Sequence, residues 1–263
     1  MQFKVSYKIS DHDPVQQFLN ELYDYKDLST KVYHLKRLNL IYEIIKGYSE
    51  NKVVNFESAL DIGCHIGFCA KIISDLGFRN VLGIDISGEA IVKANTLFAF
   101  EDDREKLSYQ NIAAEDLAVM NKKFDFILCT EVIEHTSDPQ KVIENIKSLL
   151  SENGRALITL PNKISLNYLT MIAGKKILRR PFSEDIIQHL QYPFYKSLKI
   201  FRKNGFKVVK TSGTNLFLLD HLLPLLAKFP FILHLDSILS QLFPFKYFTQ
   251  SFFMVVQVDN GKK

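Results

Sequence analysis

The stretch Ala59-Leu60-Asp61-Ile62-Gly63-Cys64-His65-Ile66-Gly67-Phe68-Cys69-Ala70 decides the fold. It reads as a short buried strand, a glycine-containing turn and the start of a helix. Glycine at 63 and 67 lets the backbone turn sharply and lets a ligand approach with no Cβ in the way. The helix that follows points its unpaired N–H groups at that ligand. Alone, such a turn is common among α/β proteins. It gains weight from Val81-Leu82-Gly83-Ile84-Asp85-Ile86, a second apolar strand that ends in an acid. Asp61 and Asp85 are 24 positions apart, room for one helix and a return strand. A carboxylate at the end of the second strand of a doubly wound sheet is well placed for ribose hydroxyls. The plain alternative for Asp85 is the N-cap of the next helix.

Outward from this unit, strands alternate with helices. Strands are expected near 58–62, 80–85, 107–112, 124–130 and 154–160, and helices near 67–77, 88–99 and 139–150. Asp138-Pro139 is a helix start with proline at the first helical position, and Asn153-Gly154 is expected to end that unit. Upstream, Leu35, Leu38, Ile41, Tyr42 and Ile45 recur at helical spacing between Val32 and Tyr48. That helix is expected to cover the sheet edge or the ligand cleft. Residues 1–30 read as an arm or short helices. Ser197–Asn204 and Gly205–Thr211 form a further helix and strand, and Phe252–Val258 a final strand. Such alternation means a mostly parallel sheet with right-handed crossovers.

The ordered motifs resemble class I S-adenosylmethionine-dependent methyltransferases. Asp61-Ile62-Gly63-Cys64-His65-Ile66-Gly67 is similar to their first motif, with His65 where the family usually has glycine. Asp85 resembles the ribose-binding acid, and Ala114-Glu115-Asp116-Leu117 the adenine-side motif. Phe124–His135 and Asn153–Asn162 resemble the fourth- and fifth-strand motifs, and the likeness covers about residues 35–212. It implies a doubly wound, seven-stranded Rossmann-like sheet with its last strand antiparallel and with helical lid insertions. Residues 1–50 are then an N-terminal arm and helix, and 51–263 the methyltransferase domain, with insertions near 164–190 and 214–247. The resemblance assigns S-adenosylmethionine to Asp61, Gly63, His65, Gly67, Asp85, Ile86, Glu115, Asp116 and Thr130, with Asp116 on the adenine amino group.

Glu131, Glu134 and His135 form the sharpest constellation. They follow strand four, at the sheet edge where ligands bind, and their spacing would set all three on one face of a helical turn. His135 could act alone as a general base on a hydroxyl. Two carboxylates and an imidazole could also hold a divalent ion. The plain alternative is an acidic loop with a capping histidine. The wording Glu131-Val132-Ile133-Glu134-His135 resembles the ubiquinone-biosynthesis O-methyltransferases and the small-RNA 3′-end 2′-O-methyltransferases. In both the motif is tied to metal-assisted methylation of a hydroxyl, which implies Mg²⁺ or a similar ion on Glu131, Glu134 and His135, with His189 as fourth ligand.

The whole chain limits the choice. Its 263 residues, 47% hydrophobic and 24% charged, suit one sizeable α/β domain. A net charge of +4 with basic residues dispersed, apart from Lys175-Lys176 and Arg179-Arg180, argues against a nucleic-acid partner and against RNA 2′-O-methylation. Cys64, Cys69 and Cys129 lack paired metal spacing and read as reduced core thiols of a cytoplasmic protein. No signal peptide or membrane span is read. Residues 164–180 and 216–247 are strongly apolar. They read as a small core of their own, as an apolar acceptor pocket, or as a patch touching membrane lipid with Arg179 and Arg180 at the headgroups. The expected activity is methyl transfer to a hydroxyl of a hydrophobic or phenolic small molecule. His65 keeps a non-catalytic cofactor-binding module in view, and the sequence leaves the oligomeric state open.

Overall fold

The computed structural model describes residues 28–51, 53–98, 106–178, 192–216, 230–259 and 261. The described chain opens with helix α1 (Leu28–Glu50), then β1 (Ser58–Ile62), α2 (Phe68–Asp75), β2 (Asn80–Asp85), α3 (Gly88–Phe98) and β3 (Leu107–Asn111). A 3₁₀ turn (Ala114–Val119) leads to β4 (Phe124–Thr130), and a second 3₁₀ turn (Ile133–His135) to α4 (Pro139–Leu149) and β5 (Leu150–Pro161). The remainder is α5 (Leu166–Leu178), α6 (Phe194–Lys203), β6 (Phe206–Thr214), α7 (Pro230–Leu239) and β7 (Ser251–Val258).

The strands form one sheet in the order β3-β2-β1-β4-β5-β7-β6. β1 to β5 run parallel, and β7 lies antiparallel between β5 and β6. The doubly wound sheet with an antiparallel last strand is therefore present. Leu60, Ile62, Phe126, Ile127, Leu128 and Cys129 are fully buried because central parallel strands are covered on both faces. On one face α1, α2 and α3 pack a core with Phe126, Leu157 and Phe253. On the other α4 and α6 pack with Ile62, Ile127 and Met254. Leu38, Ile41 and Ile45 of α1 belong to the first core, so α1 is a structural part of the sheet's cover.

Two local details depart from the expected pattern. Asn153-Gly154 does not end the α4 unit. α4 stops at Leu149, and β5 begins at once, with Leu150 paired to Phe124 and a register shift before Phe126 pairs with Arg155. Gly154 sits inside that irregularity, where a Cβ would stand 3.0 Å from the Phe124 carbonyl oxygen. Gly67, expected at the ligand, serves packing. A Cβ there, or on Gly83, would come within 2.6 Å of the Tyr109 ring. The buried Tyr109 hydroxyl donates to the Gly67 carbonyl at 3.0 Å. The expected arm over residues 1–27 and the apolar residues 217–229 lie outside the described residues.

Candidate functional site

The carboxyl ends of β1 and β4 flank the point where strand order reverses, the place where open α/β sheets bind ligands. The turn leaving β1 holds three left-handed residues, Gly63 (φ 69°), His65 (φ 50°) and Gly67 (φ 88°). At Gly63 a Cβ would meet the Val132 side chain at 2.2 Å. His65 adopts the conformation that its glycine-like position demands, at a cost that histidine bears better than most residues. The turn is tied to β2 through its backbone. Cys64 N–H donates to the Ile84 carbonyl (2.8 Å), and His65 N–H to Asp85 Oδ2 (2.8 Å). Ser87 N–H donates to Asp85 Oδ1 (2.8 Å). Each Asp85 oxygen thus accepts one N–H and keeps a lone pair for a ligand hydroxyl.

A cavity of about 470 Å³ opens here. Of the residues expected from sequence, Asp61, Gly63, His65, Asp85, Ile86, Glu115, Thr130, Glu131 and His135 line it. Gly67, Asp116 and Glu134 do not. Asp116 is exposed and 3.9 Å from the Lys141 ammonium, so of the expected adenine-side residues Glu115 and Ile86 line the cavity and Asp116 does not. Burial would raise the Glu115 carboxyl, but hydrogen bonds from its own N–H and from the Ser137 N–H and hydroxyl hold it below its usual range. Cys64 and Cys69 also reach the wall. Their thiols are free, and burial raises them, so they stay protonated.

The β4 side differs. Glu131 is not on a helical turn; it sits before the 3₁₀ turn with φ 54°. Its Oε1 accepts from the Ser251 hydroxyl (3.3 Å) and its Oε2 from the Tyr33 hydroxyl (3.5 Å), and Tyr33 and Ser251 are themselves 2.6 Å apart. Burial raises the Glu131 carboxyl, opposed by the Arg37 guanidinium. His135 is half exposed and faces the cavity. Glu134 is buried away from it, its carboxyl pushed up to about 8 by burial and by Glu131. Asp61 is likewise pushed up to about 8, chiefly by burial, while an Ala70 N–H bond opposes the shift. Its Oδ2 has no hydrogen-bond partner among the described residues.

Helix α1, expected to cover the sheet edge or the ligand cleft, lines the cavity over Glu131 with Leu38 and with two residues that the sequence did not single out, His34 and Arg37. The signal was a basic residue within an otherwise apolar helical face. Burial, aided by Arg37, pushes the His34 imidazole down to about 4, so it is neutral near pH 7.

The side chains do not fit a metal as they stand. Among the described residues no three His, Cys, Asp or Glu side chains come together as ligands, and both Glu131 oxygens are held by hydroxyls. His135 Nε2 is 4.0 Å from Glu134 Oε1, and the expected fourth ligand, His189, lies outside the described residues.

Strand order, the glycine turn and the acid after β2 together define the class I methyltransferase architecture. Residues 33–211 match the family model described as a methyltransferase domain, and the chain belongs to that family. A ubiquinone biosynthesis O-methyltransferase of Paraburkholderia phymatum is 30% identical over 172 residues, covering 65% of this chain and 72% of the relative. One of Glaesserella parasuis is 33% identical over 123 residues, 45% of this chain, so the chain spans about half (51%) of that relative's length. The fold is shared with a magnesium protoporphyrin IX methyltransferase from Synechocystis solved with bound SAH (TM-score 0.60, 18% identity, 93% of this chain and 97% of that one). It is shared too with a Clostridium acetobutylicum S-adenosylmethionine-dependent methyltransferase (TM-score 0.58, 14% identity, 93% and 99%).

Proposed function

We propose that the chain transfers the methyl group of S-adenosylmethionine to a hydroxyl of a hydrophobic or phenolic small molecule. The observation that carries this is Asp85, whose two oxygens are fixed by the His65 and Ser87 N–H groups at the lip of the cavity and remain able to accept from ribose. Ile86 and Glu115 then flank the adenine, and Gly63 leaves room for the backbone to approach. Asp61 and Arg37 supply opposite charges for the ammonium and carboxylate of the amino-acid end. The cofactor supplies an electrophilic methyl on sulfonium sulfur. With the cofactor bound, the acceptor oxygen would take the methyl as its bond to sulfur breaks and S-adenosylhomocysteine leaves, and His135 would take the hydroxyl proton at an imidazole nitrogen. The curated relatives, named as ubiquinone biosynthesis O-methyltransferases, support an oxygen acceptor.

The test is titration with S-adenosylhomocysteine, then transfer from labelled cofactor to a panel of phenols in excess chelator. Binding and transfer are expected. No binding sinks the reading. Binding without transfer to any acceptor points to the non-catalytic module, and transfer to RNA oligonucleotides alone to the other rival. Activity lost in chelator and restored by Mg²⁺ would overturn the metal-free role of His135.

Peripheral membrane contact belongs to the same proposal. No helix among the described residues is long and apolar enough to cross a membrane. α7, however, is turned inside out. Asp236 and Ser240 point inward, with Asp236 2.5 Å from Lys36 of α1 in a buried ion pair. Phe231 (71% exposed), Leu235 and Ile238 face outward at helical spacing, followed by Leu242 and Phe243 (77%). Such a face suits the acyl boundary of a bilayer. Arg179 and Arg180 lie outside the described residues. Co-sedimentation with anionic liposomes is expected, and its persistence in a Phe231→Asp, Phe243→Asp double variant would refute contact through this face.

A further inference from the structure

Among the described residues, four acid side chains line the cavity at the β1 and β4 ends, Asp61, Asp85, Glu115 and Glu131, against one guanidinium, Arg37. On the reading above, Asp61 meets the ammonium of S-adenosylmethionine, Arg37 its carboxylate, Asp85 the ribose and Glu115 the adenine side. One acid of the protein, Glu131, and one charge of the cofactor, the sulfonium, are left without a counterpart. Glu131 is held in place from several directions. Its backbone is left-handed (φ 54°), a conformation that glutamate seldom adopts and that strained functional sites retain. Its N–H donates to the Thr159 carbonyl (3.2 Å), and the next residue, Val132, fills the space beside Gly63, so this strand end is pressed against the glycine turn. Its carboxyl lies against the Tyr33 hydroxyl of α1 (3.5 Å) and the Ser251 hydroxyl of β7 (3.3 Å). Burial works against a charge on this carboxyl, while Arg37 and the hydroxyls favour it.

We propose that Glu131 is the residue by which the site prefers the sulfonium cofactor to its neutral thioether product, with Tyr33 and Ser251 as the positioning residues that hold its carboxylate; this rests on the cofactor reading above. S-adenosylmethionine and S-adenosylhomocysteine share the amino-acid end, the ribose and the adenine, and differ by one methyl group and one positive charge. Specificity between them is a difference of affinities. The contacts named for Asp85, Glu115, Asp61 and Arg37 are made to groups that both ligands carry. A fixed negative charge without such a partner is felt chiefly by the sulfonium, and across several ångströms of partly buried space the attraction is far from negligible. Once the methyl has left, that attraction is gone, so the same carboxylate that holds the reactant lets the product go.

The experiment is calorimetric titration of the full chain, in excess chelator and with no acceptor present, using S-adenosylmethionine and, separately, S-adenosylhomocysteine. Glu131→Gln keeps the side chain's size and removes its charge. It is expected to weaken S-adenosylmethionine roughly tenfold and S-adenosylhomocysteine less than about twofold. Tyr33→Phe and Ser251→Ala each take away one hydroxyl and leave the carboxyl, and are expected to move the ratio of the two affinities in the same direction by less. Asp85→Ala should weaken both ligands alike and leave the ratio where it was. A general loosening of the site would also weaken both ligands alike, so the ratio separates a specificity role from a merely structural one. Equal weakening of the two ligands in Glu131→Gln, or no change in either, overturns the role of Glu131 while the cofactor site stands. Should Glu131→Gln bind neither ligand, Tyr33→Phe and Ser251→Ala decide, and an unchanged ratio in both overturns the proposal. An unmodified chain that binds neither ligand removes the cofactor reading and this proposal with it.

Discussion

The two walls of the candidate cofactor cavity are built on different principles. At the β2 wall, Asp85 is held by backbone N–H groups 20 and 2 positions away, those of His65 and Ser87. At the β4 wall, Glu131 is held by side chains 98 and 120 positions away, Tyr33 of α1 and Ser251 of β7. Backbone donors persist through side-chain change and are set by local turn geometry. Side-chain donors from distant elements need the whole fold in register first. On the proposed reading, the first wall is preorganised for binding, and the second is open to tuning of the chemistry.

The largest expected effect breaks the second wall while sparing the first. His135→Ala should lower methyl transfer by roughly 10²–10⁴-fold, the usual worth of a general base. S-adenosylhomocysteine affinity should barely move; an equal loss in binding would make His135 a cofactor ligand instead. Next, on the proposed reading, Asp85→Ala would remove two ribose hydrogen bonds that carry charge on the protein side. Calorimetry should show about 2–4 kcal/mol weaker binding. Unchanged affinity would remove Asp85 from the ribose.

A third prediction sharpens the contrast through Asp61, protonated in the free protein up to about pH 8 because of burial. Its folded-state value lies above the unfolded one, so its stabilising contribution is complete below the unfolded carboxyl range near pH 4 and is lost as pH rises through about 8. The free protein should lose on the order of a few kcal/mol over that interval, seen as a falling thermal midpoint that Asp61→Asn flattens. A cationic cofactor favours the ionised form, so S-adenosylmethionine affinity should rise with pH toward 8 in the native chain and less so in the variant. The smallest effect is at His65. Its left-handed backbone gains from glycine about what glycine's greater unfolded-state freedom takes away, so His65→Gly should change stability by less than about 1 kcal/mol. A larger loss would mean that the imidazole makes a contact of its own.

The same division explains what could be read in the sequence. The strands at 58–62, 80–85 and 124–130 and the glycine turn follow from local patterns of apolar runs and left-handed positions, and the structure has them there. Asp116 pointing away from the cavity depends on the phase of a 3₁₀ turn, which a four-residue motif does not encode. Glu134 and His135 are consecutive in a 3₁₀ turn and so point to different sides, and Glu131 precedes that turn in a left-handed conformation, so helical spacing does not join the three. Arg37 and Tyr33 reach the site only because α1 packs over β1 and β7, a contact no local window contains. The inward polar face of α7 needs Lys36, 200 positions earlier, to make sense.

Tyr109 places an evolutionary constraint on the glycine turn. Its ring fills the space that side chains on Gly67 and Gly83 would need, and its hydroxyl ties off the Gly67 carbonyl. The ring therefore ties position 83 to position 109, and at position 67 it adds to what the left-handed backbone already demands. A lineage that traded the tyrosine for a smaller residue would open a hole beneath the loop and free the space beside Gly83, while Gly67 would stay held by its left-handed backbone. One that kept the ring would hold both glycines in place, even had the loop lost its ligand.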